Sequence, residues 1–357
     1  MGRRRHRPKA QNDNTLRYGS GQHARQIIKC LENVTSATGH RAAIVFSDWV
    51  RLVEATLTAL PDQLQTVAAT GQFKPDPPET IQLFRDIEHR YQHNSYGSFE
   101  ERVWRDGFCQ ALARLLTAAE PGLWGPGSYS DFDKGYMGPD ILGHIYMAWA
   151  GANPDQGSYY TPWNICLLMA QLSNPPGQGE RTIHDRLKAA LCHPDNVLGA
   201  AVLLAGLTIP DGEAAAHRDW FFNRMVPAAM SHYQPIRVSD PCCGSGAMLL
   251  AQAATWPAWA VHLGLVQFYG QDIDPVACDI AKINCKVYGL NSYGLKLEAA
   301  VAEARFARPQ HLEKGQNLPR QSPAQIIKNV HRNGDTPPSG NGKEFSSFEK
   351  MFRAVVT

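Results

Sequence analysis

The sequence predicts an α/β chain in which a helical domain precedes a short series of βαβ units. Three observations carry this. Apolar residues recur at three- and four-residue intervals through the N-terminal part of the chain. Glycine and proline then cluster from Pro121 to Gly138, which marks a domain boundary. From Ile236 onward, short β-prone runs alternate with helical stretches, the arrangement that builds a parallel sheet.

At 357 residues the chain has room for two or three domains. A hydrophobic share of 43% excludes a wholly disordered chain, and a charged share of only 19% argues against coiled coils and solenoids. No internal repeat recurs at a fixed period. The net charge is only +2, but its placement is uneven. Arg3, Arg4, Arg5, Arg7 and Lys9 crowd the start, and residues 308–357 carry an excess of Lys and Arg over Asp and Glu. Basic ends on a mildly acidic body suit a polyanion partner; the plainer reading is a pair of solvated tails. The basic start runs into polar residues rather than an apolar stretch, so no secretory signal is expected. The longest apolar run, Trp256 to Phe268, is too short to span a bilayer, so no membrane association is expected. Eight cysteines show neither a CxxC pair nor zinc-type Cys/His spacing. They read as reduced thiols of a cytoplasmic protein without a metal site.

The elements follow in order. Residues 1–20 read as a basic disordered arm and 21–120 as a helical bundle. Phe46, Trp49, Val50, Val53, Leu57 and Leu60 share one helical face, and Pro61 is expected to end that helix. Lys74-Pro75-Asp76-Pro77-Pro78 reads as a rigid linker. Ile81, Phe84, Ile87 and Tyr91 mark a second helix, and Trp104, Phe108, Leu112 and Leu115 a third. Ile141 to Trp149 and Ile165 to Leu172 give two more, with helices continuing through 183–205 and 216–231. Ile236 to Asp240 then reads as a strand, Ala247–Thr255 as a helix, Leu265–Ile273 as a strand and Pro275–Tyr288 as a helix. Gly294–Val301 is a third strand candidate, and 308–357 reads as a polar, largely disordered tail.

Three features point to chemistry. Asp240-Pro241-Cys242-Cys243-Gly244-Ser245-Gly246 lies between a strand and a helix. Its glycines permit positive φ and close approach of backbone to a ligand, and the helix start favours a carboxylate or phosphate. Leu249 stands where a dinucleotide fingerprint needs its third glycine, so that fingerprint is incomplete. Gly270-Gln271-Asp272-Ile273-Asp274-Pro275 ends the next strand. An acidic residue there is placed to accept hydrogen bonds from ribose hydroxyls, and Asp272 is the expected one; Asp274 reads as a helix cap before Pro275. Gly157-Ser158-Tyr159-Tyr160-Thr161-Pro162 reads, alone, as a turn and helix start with Thr161 as a possible N-cap. Adjacent Cys242 and Cys243 read as small fillers rather than redox groups.

Taken together, the three motifs GSYYTP, DPCCGSG and GQDIDP resemble, in order and spacing, those of the adenine-N6 DNA methyltransferases of the gamma arrangement. The likeness is greatest to the modification subunits of type I restriction systems. Residues 281–291 resemble the segment that follows in that family, and the resemblance spans about 138–303. It implies a Rossmann-like methyltransferase domain that binds S-adenosyl-L-methionine. Thr161 and the 240–246 loop would surround the methionine part, and Asp272 would take the ribose. Tyr160, Pro162, Asp240, Pro241, Cys242, Gly244, Ser245, Gly246 and Ile273 complete the expected donor-binding set. The implied reaction is transfer of a methyl group to the exocyclic amine of an adenine flipped out of the duplex.

The family's fourth element, Asn/Asp-Pro-Pro-aromatic, departs from its pattern wherever it is approached here. Asp76-Pro77-Pro78-Glu79 precedes the other motifs, and Asn174-Pro175-Pro176-Gly177 lies between the first and second. Asp335-Thr336-Pro337-Pro338-Ser339 follows them in the right order but has an inserted residue and no aromatic, leaving Asp335, Pro337 and Pro338 as weak catalytic candidates. The strands that would pair with the far edge of Ile236–Asp240 are also not evident. The expectation is a DNA methyltransferase of restriction-modification or mobile-element type, truncated or dependent on a second polypeptide. The alternatives are a donor-binding but inactive assembly or regulatory subunit, and a methyltransferase for RNA, protein or a small molecule, since donor motifs do not name the acceptor.

Overall fold

The computed structural model describes residues 20–92, 100–123, 140–151, 160–210 and 212–290. The N-terminal arm, the cluster 124–138, Gly157 to Tyr159, the strand candidate Gly294–Val301 and the tail with Asp335, Pro337 and Pro338 lie outside the described residues. Two compact units divide the described residues: one holds those up to Ala119 together with 141–151, the other holds 120–123, Asp140 and those from Tyr160 to Leu290.

The first unit is helical. It comprises α1 (Ser20–Thr38), α2 (Ala42–Thr70), α3 (Pro78–Gln92), α4 (Glu100–Leu123) and the short α5 (Ile141–Ile145), which runs into a π-helical turn at Tyr146–Ala150. Ile27, Leu31 and Val34 line the buried face of α1, and Val45, Phe46, Trp49, Val50, Val53 and Leu57 that of α2. This spacing is what an amphipathic helix needs to bury one stripe. The Trp49 indole N–H donates to the Phe108 carbonyl at 3.1 Å, satisfying the one polar atom of that side chain. Tyr91, Trp104 and Phe108 pack ring against ring, with centroids 5.3 to 5.8 Å apart. The predicted stop at Pro61 is corrected: α2 runs through it to Thr70 and ends at Gly71, whose left-handed backbone donates its N–H to the Val67 carbonyl at 2.8 Å. Leu60 and Gln63 are buried on either side of the proline, so tertiary anchoring outweighs the backbone hydrogen bond that a proline forfeits. Gln63 grips the linker, donating to the Lys74 carbonyl at 2.9 Å and accepting from its N–H at 2.8 Å.

The second unit begins with helices α6 (Trp163–Ser173), α7 (Gln178–Leu191), α8 (Val197–Gly206), α9 (Ala214–Trp220) and α10 (Val226–Met230), the last two joined by a π-helical turn at Phe221–Met225. The helical stretch expected over 183–205 comprises two helices: α7 ends at Cys192, and Asn196 caps α8. Its side chain accepts from the Gly199 N–H at 3.0 Å and donates to the carbonyls of Ala190 and Ala228. Strand β1 (Ile236–Asp240), helices α11 (Ala247–Ala253) and α12 (Ala258–His262), strand β2 (Val266–Gly270) and helix α13 (Pro275–Val287) follow. The strands are parallel, with Ile236 opposite Val266 and Asp240 opposite Gly270. The second strand is shorter than the predicted Leu265–Ile273: pairing ends at Gly270, and Asp272 beyond it accepts from the Gly244 N–H. Among the described residues β1 pairs with β2 alone, and Arg237 and Ser239 are exposed. Among the described residues, too, no helix is long and apolar enough to cross a membrane, and no group of three His, Cys, Asp or Glu side chains could hold a metal ion.

Candidate functional site

The register of the two strands places Asp240 beside Gly270, so the loops that leave both strands emerge side by side at their carboxyl ends. Backbone hydrogen bonds tie them: Gln271 N–H donates to the Asp240 carbonyl at 3.1 Å, and Cys243 N–H to the Gln271 carbonyl at 2.9 Å. Within the first loop the Asp240 carboxylate accepts from the Cys242 N–H at 3.1 Å, which closes a local turn. Gly246 donates to the Cys243 carbonyl at 2.8 Å and starts α11 with φ of +85°. Gly270 leaves room for Cys243: a Cβ there would stand 2.8 Å from its sulfur. Burial pushes the Cys243 thiol up to about 11 and Cys285 up to about 12, so both remain neutral thiols at physiological pH rather than nucleophiles.

Gly244 is where the three motifs meet. Its N–H donates to Asp272 Oδ2 at 2.9 Å, linking the second motif to the third. A Cβ on Gly244 would lie 3.0 Å from Cε1 of Tyr160, so the ring of the first motif lies against the same residue. Its φ of +52° is left-handed, where glycine carries no penalty. The other Asp272 oxygen accepts from the Asp274 N–H at 3.0 Å, and Asp274 caps α13 by accepting from the Val276 N–H at 2.9 Å. Beside Asp272, the apolar side chain of Ile273 is 90% exposed. Cys242, Pro241, Thr161 and Pro162 are exposed around the loop.

The first motif reaches the loop because α6 packs on α11 through small residues. Cys166 and Ala170 meet Ala247 and Ala251, flanked by Trp163 and Met248. The expected Thr161 cap is corrected: Pro162 occupies the cap position without a side-chain bond, and the Thr161 carbonyl instead accepts from the Cys166 thiol at 3.4 Å. The proline before Trp163 sets the helix entry by backbone geometry alone.

Two residues were missed by reading the sequence locally. The Ser245 hydroxyl donates to the Asp140 carboxylate. Asn284, on α13, donates to the same carboxylate at 2.9 Å and to the Ser245 carbonyl at 2.8 Å. Asp140 carries no sequence signal beyond preceding an apolar helical run, where it reads as a boundary residue.

Two of the three catalytic near misses are internally engaged. The Asp76 carboxylate is buried and lies 3.5 Å from the Gln63 amide. Asn174 is buried at the end of α6 and donates to the Thr255 carbonyl and hydroxyl at 3.2 and 3.0 Å. The third near miss lies outside the described residues.

A parallel strand–loop–helix unit brings a glycine turn and an acidic residue side by side at the strands' carboxyl ends, the position at which open α/β sheets bind ligands. Residues 223–317 match the family described as N-6 DNA Methylase, so this segment is similar to that family. No curated protein and no solved structure matches the chain.

Proposed function

We propose that the chain is an S-adenosylmethionine-dependent, adenine-N6-specific DNA methyltransferase of restriction-modification or mobile-element type, acting in the cytoplasm with a second polypeptide. The convergence of all three motifs on Gly244 carries this reading. The residues fit an S-adenosyl group. A carboxylate offers about four acceptor positions. Two of them on Asp272 are met by backbone N–H groups, which leaves capacity for ribose hydroxyls. Ile273 supplies an apolar face next to it for a nucleobase. Gly244 and Gly246 keep the loop free of side chains where the methionine part would lie, with Tyr160, Thr161, Pro162, Asp240, Pro241, Cys242 and Ser245 around it. When bound, the donor supplies a methyl group on a positively charged sulfur. The acceptor side would need an Asn or Asp side chain and an aromatic ring for the flipped adenine.

Transfer of labelled methyl groups from the donor to adenine in duplex DNA, with the chain alone and with candidate partner chains, tests the proposal. Label on adenine N6 under any pairing supports it, and none under every pairing sinks it. A second reading, a donor-binding subunit without catalysis of its own, is favoured by the internal engagement of Asp76 and Asn174. Donor binding without transfer would select it.

Asp272→Asn is expected to weaken donor binding about tenfold to a hundredfold, since hydrogen bonds to a charged group are worth ~1.5–3 kcal/mol. Titration calorimetry checks this; unchanged affinity would remove Asp272 from the donor site.

A further inference from the structure

We infer that Asp140 is a positioning residue that fixes the glycine loop in its donor-binding shape. The inference rests on the donor reading of that loop. Ser245 sits between Gly244 and Gly246, both at positive φ. A residue flanked by glycines belongs to the most conformationally free kind of backbone, so the loop needs external restraint to hold one shape. That restraint comes from behind the loop. Ser245 is 1% exposed, and its hydroxyl donates to Asp140. Asn284 is 2% exposed; its amide group donates to the Asp140 carboxylate at 2.9 Å and to the Ser245 carbonyl at 2.8 Å. One carboxylate therefore orients both the serine hydroxyl and the amide that grips the serine backbone. An alanine at 140 would leave two buried donors without this acceptor, and the Asn284 amide would be free to rotate off the loop.

The chain's course makes Asp140 more than an incidental neighbour. Residue 140 is the last of the second unit before the chain passes into the first, and Tyr160 is where it returns. Asp140 fastens to Ser245, and Tyr160 lies against Gly244. Both ends of the excursion are thus anchored on adjacent residues of one loop.

The test uses the full chain as wild type, Asp140→Ala and Asp140→Asn. Amide hydrogen exchange across residues 241–246 is measured without ligand, and S-adenosylmethionine affinity by calorimetry. Asp140→Ala is expected to speed loop exchange about tenfold and to weaken donor binding to a similar degree, with exchange elsewhere in the second unit unchanged. Asp140→Asn, which keeps one acceptor oxygen, should recover part of both. Wild-type exchange and affinity in Asp140→Ala would overturn the inference. So would faster exchange throughout the second unit without recovery by asparagine, which would make Asp140 a general folding residue. A wild-type chain that binds no S-adenosylmethionine overturns the donor reading instead, and the exchange rates then decide alone whether Asp140 holds the loop.

Discussion

Arg90→Ala should cost the first unit about 3 kcal/mol of stability, the lower end of what breaking a buried ion pair costs. The reason is the asymmetry of the pair. Asp48, on α2, is 1% exposed at its side chain, whereas Arg90, on α3, is 41% exposed and reaches water. Arg90 Nη1 stands 2.5 Å from Asp48 Oδ1, and the Tyr91 hydroxyl donates to Oδ2 at 3.2 Å. Burial pushes the Asp48 carboxyl up from its ordinary range, against the pull of Arg90. Removing Arg90 removes the largest opposing influence and strands a carboxylate in the core. Asp48→Asn leaves only a half-exposed guanidinium behind, so it should cost less and should rescue Arg90→Ala. The pH dependence follows from the sign. A carboxyl whose folded pKa lies above its unfolded value is tolerated below the unfolded value and becomes a penalty as pH rises through the folded one. The deficit of Arg90→Ala relative to wild type should therefore narrow near pH 5 and widen near pH 8. Urea unfolding at the two pH values measures it; equal deficits would mean that Asp48 stays ionised in both chains.

How much of this was legible in the sequence depended on how far each signal had to reach. Ile236 to Asp240 was readable as a strand, since β-branched residues alternate there and Asp-Pro ends the run. The Asp274 cap was readable because the side chain acts two residues away, on Val276 N–H. The apolar stripe of α2 was readable because burial and period coincide. The failures were tertiary. A proline is a local stop signal, yet the burial of Leu60 and Gln63 carries α2 past Pro61. Thr161 has cap chemistry, but the chain enters α6 through Pro162. In the candidate site, the placement of the 240–246 loop and of Asp272 at the carboxyl ends of their strands was legible from spacing. Asp140 was not, because its partners Ser245 and Asn284 lie 105 and 144 positions away. Periodicity and capping rules are local and carry nothing over that distance.

Gly244→Val should abolish measurable donor binding, a loss of at least about a hundredfold, while leaving the first unit's unfolding unchanged. Two effects add. A β-branched residue at φ of +52° is strained by ~1–3 kcal/mol, and the loop can relieve this only by rotating its backbone. Rotation would swing the N–H away from Asp272 Oδ2, breaking the 2.9 Å bond that ties the glycine loop to the end of β2. The Cβ would also stand 3.0 and 3.2 Å from Cε1 and Cδ1 of Tyr160, and the γ carbons would reach further into the ring. The two effects separate experimentally. Tyr160→Ala combined with Gly244→Ala removes the ring but not the positive φ, so the stability that the pair recovers in unfolding, measured against both single variants, gives the steric share. Gly71→Ala is the control for backbone strain: its φ is +71°, and nothing lies within 4 Å of the added Cβ. It should cost about 1 kcal/mol in unfolding and nothing in donor affinity. Should Gly244→Val fold and bind S-adenosylmethionine as tightly as wild type, the donor would have to sit away from this loop. The meeting of the three motifs at Gly244 would then be a packing arrangement only.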